Sequence, residues 1–338
     1  MKITPIFHIL SILIMPLSGF MMISGFVDFV YNNQNWVNFF ISATITLFVG
    51  MSVFLATRGH NDQNIELRQA FVLTTMSWIT IAFFGALPFY LSNINLNFTD
   101  SFFESMSGIT TTGSTILINI EASPPGILAW RSLLQWLGGI GVIVMAIAIF
   151  PMLSVGGMQL FKAENFENPE KVVPRATSLT RGIFIIYSVL TLIWASLLYL
   201  SGMSSFDSIL HSMTTIATGG YSTKSGSIGA FNSQLIDWII ILGMIFGSLP
   251  FVHYLAMTKG SYRDLIKDSQ VRWFLVLLTI LVLTIFSLLF LNGTYDWKDS
   301  IRYSAFNVTS ILTGTGYGTA DFGLWGGFAP TILLLCMF

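Results

Sequence analysis

Apolar runs of about 20 residues recur along the chain, at Ile6–Val30, Val37–Ala56, Gln69–Leu91, Ile127–Leu153, Thr180–Leu200, Leu235–Met257 and Val271–Leu291. At about 1.5 Å per residue, each is long enough to cross the roughly 30 Å hydrocarbon core of a bilayer as a helix. The first run follows Lys2, exceeds the length of a signal-peptide core and lacks a clear cleavage site, so it predicts a retained span. An eighth run starts near Gly323 and is still apolar at Phe338. That stretch is too short to cross, so the sequence is expected to be a piece of a longer one.

Three stretches between the spans break the apolar pattern in the same way: Asp100-Ser-Phe-Phe-Glu-Ser-Met-Ser-Gly-Ile-Thr-Thr-Thr-Gly-Ser114, Asp207-Ser-Ile-Leu-His-Ser-Met-Thr-Thr-Ile-Ala-Thr-Gly-Gly-Tyr221 and Ser304-Ala-Phe-Asn-Val-Thr-Ser-Ile-Leu-Thr-Gly-Thr-Gly-Tyr317. Each has a helix-compatible run of about ten residues and then a Thr/Gly loop. The last glycines of the loops, Gly113, Gly220 and Gly316, stand 107 and 96 residues apart. Repetition on this scale predicts one unit built three times: span, short helix, loop, span. A helix of 10–12 residues covers only about 15–18 Å, so it enters the membrane and cannot cross it. The loop must carry the chain back to the side it came from. Asp100-Ser101, Asp207-Ser208 and Asp299-Ser300 are read as the N-caps of these helices, the third starting about a turn early.

Composition agrees with the pattern. The chain is 54% hydrophobic and 9% charged, with a mean hydropathy of +0.74; a soluble domain carries about 25% charged residues. These values predict an all-α polytopic membrane protein embedded in the lipid bilayer. A net charge of −1 argues against a nucleic-acid partner. Cys336 is the single cysteine, which excludes a disulfide within the chain and a thiolate metal cluster.

Charge then sets orientation. Lys2, Arg58, Arg68, Lys162, Lys171, Arg175, Arg181, Lys259, Arg263, Lys267 and Arg272 fall on one side, which the positive-inside rule makes cytoplasmic. Arg131, Lys224, Lys298 and Arg302 fall on the other, with all three Thr/Gly loops. The outer side also carries nine acids, giving a net charge near −5, a sign that concentrates cations. The second cytoplasmic connector, Gly156–Arg181, reads as a surface helix and a turn, a solvated connector or a docking surface for a cytosolic partner.

The loops have the chemistry of an ion pathway. Non-helical backbone at membrane depth is tolerated only where protein buries it or water reaches it, so three such loops imply a shared cavity. Glycine admits positive φ and removes the Cβ that blocks close approach. Backbone carbonyls turned inward then replace the water that a hard cation loses, as in K⁺-selective filters. Each short helix would aim its partly negative C-terminal end at the same place.

At these residues the sequence resembles the TrkH/KtrB superfamily of potassium transporters, in its TrkH-like branch. Phe103–Gly113, Trp130–Gly141, Gly156–Phe161, Thr218–Thr223 and Phe306–Asp321 carry the resemblance. It implies two N-terminal spans (1–60) and pore repeats at 61–157, 158–260 and 261–338, the third incomplete. These belong to a family fold of four repeats around a pseudo-fourfold pore, whose fourth unit is missing here. It implies potassium transport across the plasma (inner) membrane as the membrane subunit of a Trk K⁺ uptake system. The filter residues would be Thr111, Thr112, Gly113, Thr218, Gly219, Gly220, Gly314, Thr315, Gly316 and Tyr317. Gly113 stands where the family's K⁺-preferring members carry glycine and sodium-preferring plant members carry serine. The resemblance further implies a homodimer, a cytosolic nucleotide-binding regulatory subunit like TrkA, no catalysis and no cofactor beyond the transported K⁺. With three of four sides present, the piece alone is not expected to form a working pore.

Individual polar residues have blander readings. Glu104 and the aligned His211 are expected to hydrogen-bond behind the filter. Arg131 is expected to snorkel to the interface, Gly138-Gly139-Ile-Gly141 to pack a neighbouring helix closely, and His253 to be a satisfied packing residue. Two other functions stay open: an intramembrane hydrolase using Ser114 and His211, and a transporter for another small solute.

Overall fold

The computed structural model describes residues 3–59, 67–153, 172–258, 260–326 and 328–337. The described part of the Gly156–Arg181 connector begins at residue 172, so the surface helix read before that point lies outside the described residues. All the elements among the described residues are helical: α1 (Thr4–Val30), α2 (Trp36–Thr57), α3 (Leu67–Gly85), α4 (Leu87–Leu91), α5 (Phe98–Ile109), α6 (Pro125–Leu153), α7 (Val172–Leu200), α8 (Ser205–Ile216), α9 (Gln234–Ser248), α10 (Phe251–Thr258), α11 (Tyr262–Lys267), α12 (Ser269–Leu291), α13 (Trp297–Leu312) and α14 (Ala329–Leu335). Five stretches among the described residues are long and apolar enough to cross a membrane: α1, α2, Arg68–Leu91, Leu179–Leu200 and α12. Many of their apolar side chains are exposed, as with Phe48 and Leu192, both more than 60% exposed, as expected of helices surrounded by lipid.

One expected span is broken. Leu235–Met257 divides into α9 and α10, which meet at 89°. Pro250, between them, has no N–H to continue the helix. The Tyr254 hydroxyl donates to the Phe246 carbonyl at 2.7 Å, which supplies a partner near the end of α9.

The chain divides into two compact units. The first comprises residues 1–110 and 114–177, the second residues 111–113 and 178–338. In the first, α1 packs along α2, and α3, α5 and α6 pack on one another. Asp28, fully buried on α1, accepts from the Gly126 N–H at the start of α6 (2.6 Å) and from Asn35 Nδ2 (2.9 Å). A Cβ on Gly138 of α6 would overlap the Ile109 carbonyl, so this glycine packs closely on α5, whereas nothing described lies within 4 Å of a Cβ on Gly141. In the second, α8 packs on α9, and α13 packs on both α9 and α12. A core of Leu198 on α7, Ile236, Ile240 and Met244 on α9 and Phe306 on α13 joins these three helices. The three residues of the first Thr/Gly loop, Thr111–Gly113, therefore cluster with the unit that holds the other two loops.

Candidate functional site

The three short helices are α5, α8 and α13, of 12, 12 and 16 residues. Their N-caps sit three residues upstream of the expected Asp-Ser pairs. Asn97, Ser204 and Asp296 accept from the backbone N–H of Asp100, Asp207 and Asp299. The correction has a simple cause. Each cap side chain satisfies the free N–H of the third helical residue, and Ser204 Oγ also donates to the Asp207 carboxylate at 2.8 Å. The third helix does start early, and so is longer.

The loops that follow have one backbone conformation. Thr111, Thr218 and Gly314 have φ of 55°, 50° and 71°, and Gly113, Gly220 and Gly316 have φ of 80°, 78° and 85°. Two left-handed residues flanking one residue is an arrangement that sequence alone did not disclose, because two of the six are threonine. β-Branched residues pay a steric penalty there. The signal was Gly314, the third loop's occupant of the position held by Thr111 and Thr218. In the second and third repeats this residue closes a Schellman-type helix end. Thr218 N–H donates to Thr215 O (3.0 Å) and Gly219 N–H to Thr214 O (2.8 Å), while Gly314 N–H donates to Ile311 O (3.0 Å) and Thr315 N–H to Ser310 O (2.9 Å).

Within the second unit the loops lie side by side in chain order. A Cβ on Gly113 would overlap the Gly219 carbonyl oxygen, and one on Gly220 would overlap the Thr315 carbonyl oxygen. Gly316 has no such neighbour among the described residues. Thr112, Gly219 and Thr315 are the residues between the left-handed pair in each loop; Gly219 and Thr315 are buried and Thr112 is exposed. Tyr317, just past the third glycine, hydrogen-bonds through its hydroxyl to Thr214 of α8 and, at 3.4 Å, to Thr215.

Polar side chains of the short helices hold the outgoing limb of each loop. Ser107 Oγ donates to Ser114 O at 2.6 Å, and Ser310 Oγ to Tyr317 O at 2.7 Å, seven residues on in both cases. Glu104 accepts from Thr115 Oγ1 (2.9 Å) and from the Ile116 N–H (3.1 Å). His211 Nε2 meets Ser222 Oγ at 2.9 Å, and Asn307 Nδ2 donates to Thr319 Oγ1 at 3.0 Å. The expectation that Glu104 and His211 bond behind the loops is met. Arg131 differs from its reading: it is 1% exposed, and its Nε lies 2.7 Å from Glu104 Oε1. A buried carboxylate within reach retains the guanidinium that would otherwise extend to the interface. His253 also has a specific partner, Asp268, at 3.2 Å. No group of three or more His, Cys, Asp or Glu placed to hold a metal occurs among the described residues. Donors near the loops are carbonyls and hydroxyls, which suit hard cations.

Short helices that enter and turn back on glycine-centred loops, set among apolar spans, define an integral membrane protein of the pore-loop kind. The chain belongs to the TrkH family. That family's model, described as "Cation transport protein", matches residues 35–338. The chain is 40% identical over 326 residues to the Trk system potassium uptake protein TrkI of Halomonas elongata, covering 96% of this chain and 66% of that protein. It is 36% identical over 342 residues to the Trk system potassium uptake protein TrkH of Escherichia coli, covering 99% and 70%. Its fold is similar to the crystal structure of the potassium transporter TrkH from Vibrio parahaemolyticus, with a TM-score of 0.90, 32% identity, and 99% and 70% coverage. The chain thus spans about two thirds of the length of these relatives. It is a multi-pass protein of the inner membrane, with a fold of repeated pore units.

Proposed function

We propose that this chain carries the ion-selective part of a K⁺ uptake system, with Thr111, Thr112, Gly113, Thr218, Gly219, Gly220, Gly314, Thr315, Gly316 and Tyr317 as the residues that K⁺ meets. The observation that carries the reading is the shared left-handed pattern of three loops, with the glycines of the first two, Gly113 and Gly220, against the next loop's carbonyl oxygens. Adjacent loops of one conformation can offer carbonyl oxygens from several directions to one dehydrated ion. Potassium, rather than cations at large, is supported by the similarity to potassium uptake proteins and by Gly113 in place of a serine. The transport is movement of an ion through a passage, with no covalent chemistry and no cofactor. The hydrolase reading is disfavoured because the hydroxyl that His211 Nε2 meets is that of Ser222 and not of Ser114, with Nδ1 at Asp207 O. We further infer that the protein works as a homodimer with a cytosolic nucleotide-binding subunit, since the relatives are named as parts of a Trk system.

Ion flux in vesicles reconstituted with the full-length protein tests the reading. Gly113→Ser and Gly316→Ser are expected to lower the preference for K⁺ over Na⁺. An unchanged preference in both variants overturns it.

A further inference from the structure

The residues at 104, 211 and 307 stand 107 and 96 residues apart, the same intervals that separate the filter glycines. They are therefore the same position in three copies of one unit, nine residues before each glycine. All three are buried, with exposures of 0%, 0% and 1%. All three reach a hydroxyl 11 or 12 residues on, at Thr115, Ser222 and Thr319. Position and partner are kept while the chemistry differs: a carboxylate, an imidazole and an amide. The first copy alone carries an acidic side chain, and it faces the buried Arg131 across 2.7 Å. Oε1 meets Arg131 Nε, Oε2 takes the Ile116 N–H, and Thr115 Oγ1 lies within reach of both, at 2.9 and 3.1 Å.

Such a clamp controls more than stability. Thr115 and Ile116 follow Gly113 by two and three residues, so the carboxylate fixes the exit of the first loop while α5 fixes its entry. With both ends held, the carbonyls between them keep one orientation. Charge-assisted hydrogen bonds are shorter and stronger than neutral ones, so this loop is held more tightly than the other two. Buried ionic groups are also sensitive to loss of a partner.

We propose that Glu104 is a positioning residue for ion selection: fixed by Arg131, it holds Thr115 and Ile116 and so sets the geometry of the first filter loop. The inference rests on the K⁺ pathway proposed above and names what controls it. Thr115→Val removes one hydroxyl and leaves the Glu104–Arg131 pair in place. In vesicles holding the full-length transporter, it is expected to lower K⁺ preference over Na⁺ by about tenfold, the effect of one charge-assisted hydrogen bond acting on one ion more than the other. Thr115→Ser restores the hydroxyl and is expected to restore the preference. Glu104→Gln keeps the size of the side chain and is expected to move the ratio in the same direction as Thr115→Val. A merely structural role would lower the flux of both ions together and leave their ratio alone. An unmoved ratio in both Thr115→Val and Glu104→Gln overturns the inference. Gly113→Ser, measured beside them, separates the two claims: if it shifts the ratio and the clamp variants do not, the pathway stands and the clamp falls.

Discussion

The Tyr317 hydroxyl of the third repeat meets Thr214 Oγ1 on the short helix of the second. Both side chains are buried, and Thr214 also bonds the Leu210 carbonyl at 3.1 Å. The link ties the third loop to the helix that supports the second, so neighbouring loops are braced sideways as well as from behind. A buried hydrogen bond of this kind contributes about 0.5–1.5 kcal/mol net. Tyr317→Phe is expected to lower stability by that amount, because Thr214 keeps its bond to α8 and no hydroxyl is stranded. Thermal unfolding of the purified protein in detergent measures it, and a variant as stable as the parent refutes the brace.

The glycines that close the three loops are not equivalent, which gives a graded prediction. Gly220→Ala must accommodate both a positive φ of 78° and an overlap with the Thr315 carbonyl. Gly316→Ala faces only the φ of 85°, since nothing described lies within 4 Å of its Cβ position. The left-handed backbone alone costs an L-residue roughly 1–2 kcal/mol. Gly220→Ala should therefore disrupt folding or K⁺ preference more severely than Gly316→Ala. Equal loss in yield and in flux ratio would count against the side-by-side packing of the second and third loops.

The unit plan was legible because it is written twice, in the spacing of the apolar runs and in the repeat of Thr/Gly loops. What was less legible depends on contacts between residues far apart in sequence. Arg131 on an apolar helix reads as a snorkelling cation until Glu104, 27 residues earlier, is seen beside it. The break in Leu235–Met257 was marked by Pro250, but mean hydropathy is blind to direction, so α9 and α10 read as one span. The caps were misplaced by three residues because Asp-Ser is a good start on propensity alone. The choice of Asn97, Ser204 and Asp296 depends on the bond each side chain accepts from the N–H three residues on. The latch residues Thr115, Ser222 and Thr319 had a sequence signal, their near-constant distance from 104, 211 and 307, that becomes meaningful only once the bonds are seen.

Asp28 gives a test of the first unit alone. Its carboxylate is fully buried and accepts from Gly126 N–H, which lies in the first turn of α6, where a negative charge is favoured. A Cβ on Gly126 would overlap that carboxylate, so the two residues are matched. Asp28→Ala strands the Gly126 N–H and the Asn35 amide in the interior. Each stranded donor costs about 1–3 kcal/mol. Asp28→Asn retains an acceptor and should lose less. If the two variants melt together near the parent, the contact is not holding α6.

Asp268 predicts a pH dependence of stability. It caps α12, its carboxylate accepting from the Val271 N–H at 2.9 Å, with His253 Nε2 at 3.2 Å. The Val271 bond first, and the neighbouring imidazole after it, hold the carboxyl below its ordinary range. A group whose pKa is depressed by folding stabilises the native state above its unfolded value, about 3.9, and loses that contribution as pH falls through the folded value. Loss of an N-cap typically costs about 1 kcal/mol, and the partial exposure of this one puts it at the lower end. Asp268→Ala should therefore be less stable than the parent by that amount at neutral pH, with the gap closing as the medium is taken well below pH 4. A gap that persists undiminished in acid would mean that the side chain contributes by packing and not by its charge.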